Sequence, residues 1–251
     1  MQIYITAAPG DVRAASAFGR PLAHAAYHIG PASTLLRRNP LLQSGGLLSV
    51  SDGGAALIED GAELCAAVLR ECSRRGFTGV SLDFQERPRR DRLAFAEKLQ
   101  KALAERRLRL YVPESYAAAA PEAVVCIETA LSGGNLKERL GEAAEQYHRQ
   151  VALTVERLRM DFPLPCPTGI GRNLTEEEFR QLREEHHPSS YFSPDLCARY
   201  FTYRQNGETR FVLFDDADTF RRKLRLGTEA GYQAAFLRWS EMADFAADLL
   251  G

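Results

Sequence analysis

Gly76-Phe-Thr-Gly-Val-Ser-Leu-Asp-Phe-Gln85 sits between two amphipathic patterns, and its own residues alternate. Val80, Leu82 and Phe84 fall on one face of an extended segment, and Ser81, Asp83 and Gln85 on the other. Upstream, residues 55–75 read as a helix whose apolar stripe is Ile58, Leu64, Val68, Leu69 and Cys72. Downstream, residues 90–105 repeat the pattern with Leu93, Phe95, Leu99 and Leu103. A strand between two helices is the unit of a parallel sheet with crossover connections.

The unit recurs along the chain. Strands are expected at 2–7, 23–29, 46–50, 79–84, 108–112, 123–127, 151–155 and 232–237, with further helices at 136–150 and 216–228. Eight strands in 251 residues predict a single α/β domain over 1–251, a (β/α)8 TIM barrel. Two places depart from the pattern. Only residues 113–122 join strands five and six, fewer than a parallel crossover usually needs. The segment 161–229 is too long for one barrel unit. It carries a Pro-rich stretch at Pro163, Pro165 and Pro167, a Thr175/Glu178 capping-box spacing, and Asn206-Gly207 between two apolar runs. A small β-hairpin insertion at about 198–214 is therefore expected between strands seven and eight.

Composition narrows the class. With 32 Lys+Arg against 33 Asp+Glu and 45% hydrophobic residues, the chain is neither a disordered acidic or basic polymer nor a general nucleic-acid binder. No apolar run is long enough for a membrane helix. Cys65, Cys72, Cys126, Cys166 and Cys197 are odd in number and lack metal-ligand spacing, so they read as buried thiols, and no metal or cofactor is implied. Met1-Gln-Ile-Tyr-Ile-Thr6 starts as a strand, without a signal peptide, and a cytoplasmic start is expected. None of the five histidines has the spacing of a site.

Residues 76–85 resemble the strand-four signature of family-18 glycoside hydrolases, usually Asp-Gly-x-Asp-x-Asp-x-Glu. Thr78, Gly79, Ser81, Asp83 and Gln85 stand at the corresponding positions. Tyr200-Phe-Thr-Tyr203, Asn206-Gly207 and the stretch Phe211 to Leu224 resemble the segment between strands seven and eight of the spore-cortex and germination branch. Specific matches cover 76–85 and 174–239. The resemblance implies a chitinase-like barrel acting on N-acetylhexosamine glycans such as peptidoglycan, and a possible spore association.

It also implies substrate-assisted chemistry, in which an Asp orients the substrate acetamido group and a Glu protonates the glycosidic oxygen. Asp83 holds the first position. Gln85 holds the second, and an amide has no acidic proton to give. Thr78 and Ser81 replace the two upstream aspartates. Ile127 and Glu128 stand where strand six should carry Tyr-Asp, and Arg238 aligns with the strand-eight Trp, with Trp239 one residue later. Glu114, Glu128, Glu156 and Glu241 follow strands five to eight and are expected on one rim with Asp83 and Gln85. Asp215 or Asp216 is expected to cap the following helix, with Lys223 as a scaffold residue.

The expected function is a degenerate glycosidase-like barrel, without normal hydrolase activity, retained to bind N-acetylated glycans or for a structural role. Candidate catalytic positions are Asp83 and the degenerate Gln85. Candidate substrate contacts are Ser81, Glu114, Glu128, Glu156, Arg238 and Trp239. The alternatives are an active hydrolase with a displaced acid (Glu86, Glu114 or Glu128) and a scaffold for a protein partner.

Overall fold

A computed structural model describes residues 1–38, 43–53 and 57–251. Eight parallel strands form a closed barrel: β1 (Gln2–Ala7), β2 (Leu22–Ile29), β3 (Leu47–Ser51), β4 (Gly79–Asp83), β5 (Arg109–Pro113), β6 (Val124–Glu128), β7 (Val151–Val155) and β8 (Ala234–Arg238). β1 closes the wall, pairing with β8 through Gln2–Thr6 and with β2 through Ile5–Ala7. All eight strands lie within two residues of their expected bounds.

Period-two alternation separates two layers. Tyr4, Leu47, Tyr111, Val124 and Phe236 belong to the cluster that fills the barrel, while Val80, Leu82 and Phe84 pack outward under the helices. Gly79 is required by this packing: a Cβ there would stand 2.6 Å from the Arg109 carbonyl oxygen of the neighbouring strand. Gly79→Ala is expected to lower stability by about 1–3 kcal/mol, read as a drop in melting temperature. An unchanged melting temperature would show that β4 and β5 separate freely.

The helices cover the wall where the apolar stripes predict. α1 (Gly61–Arg75) starts at Asp60, whose carboxylate accepts from the Ala62 and Glu63 amides, and stops at left-handed Gly76. Ile58 is buried but precedes this helix, and the expected start at Ala55 lies outside the described residues. α2 (Arg90–Ala104) and α3 (Leu136–Gln146) follow. The short connection between β5 and β6 is a trimmed crossover: it holds one 3-10 turn, Glu114–Tyr116, and buries Tyr116 and Ala120 against the wall.

The expected hairpin is present, as Ala198–Gln205 and Glu208–Phe214 joined by Asn206-Gly207 at φ 52° and 83°. It forms the middle of a larger body, because Arg159–Leu164, Arg172–Asn173 and Tyr191–Ser193 complete a five-stranded antiparallel sheet. Pro163 therefore lies within a strand and not in the Pro-rich loop. α4 (Glu176–His186) begins with the anticipated Thr175/Glu178 capping box and packs Phe179 on Phe201 and Phe214. α5 (Ala217–Glu229) is capped by Asp216. Asp215 has a different task, an ion pair with Lys223 in which both side chains are fully buried.

Candidate functional site

The carboxyl ends of the barrel strands surround a small inner chamber. Ser81 and Asp83 enter it from β4, Glu128 from β6, Thr154 from β7 and Arg238 from β8, with Gln85 and Glu156 just past their strand ends. Six of the eight candidate residues therefore meet in one place. Phe84 points the other way, its ring 5.4 Å from that of Tyr116 and 6.4 Å from that of Phe95.

Inside the chamber two side chains meet one oxygen of Asp83. The Gln85 amide donates to Asp83 Oδ1 at 2.7 Å, and Arg238 Nη2 approaches the same oxygen at 3.4 Å. Arg238 also reaches Glu241 at 3.5 Å. Burial works against the charge on Arg238, but Asp83 and Glu241 outweigh it and raise its pKa. Glu156 is pushed up to about 7 by burial, then by the like charges of Glu128 and Glu241, with Arg238 opposing. It is thus a carboxyl group shared between its acid and base forms at neutral pH. Burial raises the Cys126 thiol in the same wall to about 12, so it stays protonated.

Two candidates lie elsewhere. Glu114 stands in the trimmed crossover, bonded to Arg139 of α3 and to the Tyr147 hydroxyl, and does not join the rim. Trp239 opens the short helix after β8 and rests on Phe18 at 5.7 Å, on the outside of the wall. The cause is alternation: one residue along a strand reverses facing, so Arg238 enters the mouth and Trp239 leaves it. Glu86, a candidate displaced acid, is likewise turned away and pairs with Arg92 at 3.2 Å.

Sequence reading missed the support behind Gln85. Asp52 and Arg92 form a fully buried pair at 3.0 Å, and Asp52 Oδ1 accepts the Gln85 backbone N–H at 2.9 Å. A signal existed, since Arg92 shares the helical face of Phe95 and Leu99 and so sits on the buried stripe of α2. Also missed was a second, outer cleft beside the chamber. It runs between the strand ends and the inserted sheet, over Ala130, Leu158, Met160, Asn173 and Leu174. Among the described residues no cluster of His, Cys, Asp and Glu has the arrangement of a metal site, and no helix is long and apolar enough to cross a membrane.

No family model and no curated protein matches the sequence. Solved structures do. The spore cortex-lytic enzyme SleL of Bacillus megaterium is similar over 94% of this chain and 70% of its own, with 15% identity and a TM-score of 0.68. A chitinase from Chromobacterium violaceum is similar over 95% of this chain and 94% of its own, at 15% identity and a TM-score of 0.67. A family-18 chitinase from Cycas revoluta is similar over 100% of this chain and 98% of its own, at 14% identity and a TM-score of 0.68. That structure is a double mutant, one change being Glu to Gln, in complex with an N-acetylglucosamine tetramer. The chain has the barrel fold of chitinases and spore cortex-lytic enzymes.

Proposed function

We propose that this chain is a degenerate relative of the family-18 glycosidases that binds N-acetylhexosamine glycan at its barrel mouth and does not hydrolyse it by the family's route. The observation that carries the reading is the state of Asp83 and Gln85. Both stand at the strand-four positions, yet Gln85 is an amide bound to Asp83 Oδ1, and Arg238 approaches the same oxygen. An amide can hold a glycosidic oxygen by a hydrogen bond but cannot protonate it, and general acid catalysis is worth about 10²–10⁴ in rate. Ser81, Glu128, Thr154, Glu156 and Arg238 are among the other polar groups of the mouth. The similarity to SleL supports peptidoglycan of the spore cortex as the setting.

Calorimetry with N-acetylglucosamine oligomers and muropeptides tests the reading, with mass spectrometry of every mixture for cleavage. The expected result is saturable binding and no shortened products. Gln85→Glu restores an acid but is expected to stay well below an active relative's rate, because Arg238 still holds the Asp83 carboxylate that should orient the acetamido group. Cleavage by the natural protein would overturn the reading, and absence of binding at millimolar oligomer would move it to a protein-interaction scaffold. Glu156 favours one alternative, hydrolysis with a displaced acid, since its carboxyl titrates near neutrality inside the mouth.

A further inference from the structure

Two spaces meet at Gln85, Glu156 and Arg238, and they differ in size. The inner chamber has a volume of about 70 Å³, room for a handful of waters. The outer cleft has about 480 Å³ and falls in the range of sites that hold small organic ligands. Arg238 stands at the boundary, held by Asp83 on the chamber side and by Glu241 on the cleft side.

Resting on the glycan reading above, we propose that the sugar chain lies in the outer cleft and that Arg238 keeps its rings out of the inner chamber. The cleft has the mixed chemistry a hexosamine needs. Ala130 and Met160 are half-buried in its lining over buried Leu158 and Leu174, a small apolar bed for the C–H face of a ring. Glu156, Arg157, Arg159 and Glu241 surround it with charge. Exposed Asn173 offers an amide for hydroxyl and acetamido groups, and Gln85, whose nitrogen donates to Asp83, adds its carbonyl oxygen as an acceptor. The bed is pre-formed. Asn173 is paired with Met160 in the inserted sheet, and the Leu158 amide donates to buried Asp215 at 2.9 Å. The inner chamber is lined by Pro113 and Phe236 as well, but at about 70 Å³ it has no room for a hexosamine ring, and Asp83 Oδ1 is already held by Gln85 and Arg238.

Filling each space separately tests the assignment, with the N-acetylglucosamine hexamer as probe and calorimetry as readout. Asn173→Trp adds bulk on an exposed strand of the outer cleft and is expected to lower affinity at least tenfold. Cys126→Met adds bulk to the inner chamber alone and is expected to leave affinity within about twofold, as a flexible side chain adapts to a tight wall. Thr6→Met repeats the inner test from β1, so a folding defect in one variant does not decide the outcome. Binding that survives Asn173→Trp, or that falls tenfold in both inner variants with their melting temperatures kept, overturns the assignment alone. No binding by the natural protein overturns it together with the glycan reading.

Discussion

Lys223→Met is expected to cost about 3–5 kcal/mol of folding stability, the usual penalty for leaving one member of a buried ion pair behind. Lys223 Nζ lies 2.6 Å from Asp215 Oδ2, and neither side chain is exposed. The same carboxylate oxygen accepts the Leu158 amide at 2.9 Å, and Asp215 Oδ1 meets no hydrogen-bond partner among the described residues. Removing the ammonium would strand a carboxylate in an apolar setting. Urea unfolding at neutral pH gives the measurement, through a lower midpoint at unchanged slope. Pairing Lys223→Met with Asp215→Leu is expected to recover part of the loss, because no charge is then stranded, but the Leu158 N–H still lacks its acceptor. A single-variant cost below about 1 kcal/mol, the value of an exposed pair, would show that water reaches this site.

The second large effect is a dependence on pH. Glu156 has its folded pKa raised from 4.5 to about 7, so the folded state holds the proton more tightly than the unfolded chain. Both states are protonated below the unfolded value. As pH rises from there to about 7 the unfolded state gains the advantage of releasing the proton, and stability falls across that window. Glu156→Gln removes the penalty. Part of the side chain meets solvent, so the gain at pH 8 is put at about 1–3 kcal/mol, less than the full shift converts to. Denaturation of both proteins at pH 5 and pH 8 checks it: the difference should widen at the higher pH. A difference independent of pH would mean that Glu156 is already ionised at pH 5.

The barrel was written in the sequence because its signals are long. Strands with a period of two and helices with a stripe persist over several residues, and each supports the next. The inserted sheet was under-read for the opposite reason. Arg172–Asn173 and Tyr191–Ser193 are too short to show any period, and only the Asn206-Gly207 turn marks the region as β. Within the site, Asp83, Gln85 and Ser81 follow from alternation along one strand. Trp239 did not, because its place depended on a register that a one-residue slip inverts. Glu114 failed as a rim residue because the connection it begins turns at once toward Arg139. The outer cleft depends on how the inserted sheet leans over the strand ends, which no local pattern carries.

Closure of the wall bears on the order in which the molecule can be assembled. β1, the first strand of the chain, has a five-residue register with β8 and only a three-residue register with β2, and Tyr4 stacks on Phe236 at 5.4 Å across that seam. Before β8 is in place, both β1 and β7 present an open edge, the state most exposed to wrong pairing. The strand that removes these edges also delivers Arg238 to Asp83. The mouth as described therefore comes into being in the same step that seals the barrel, and a partly folded chain has strand-four chemistry without its cover.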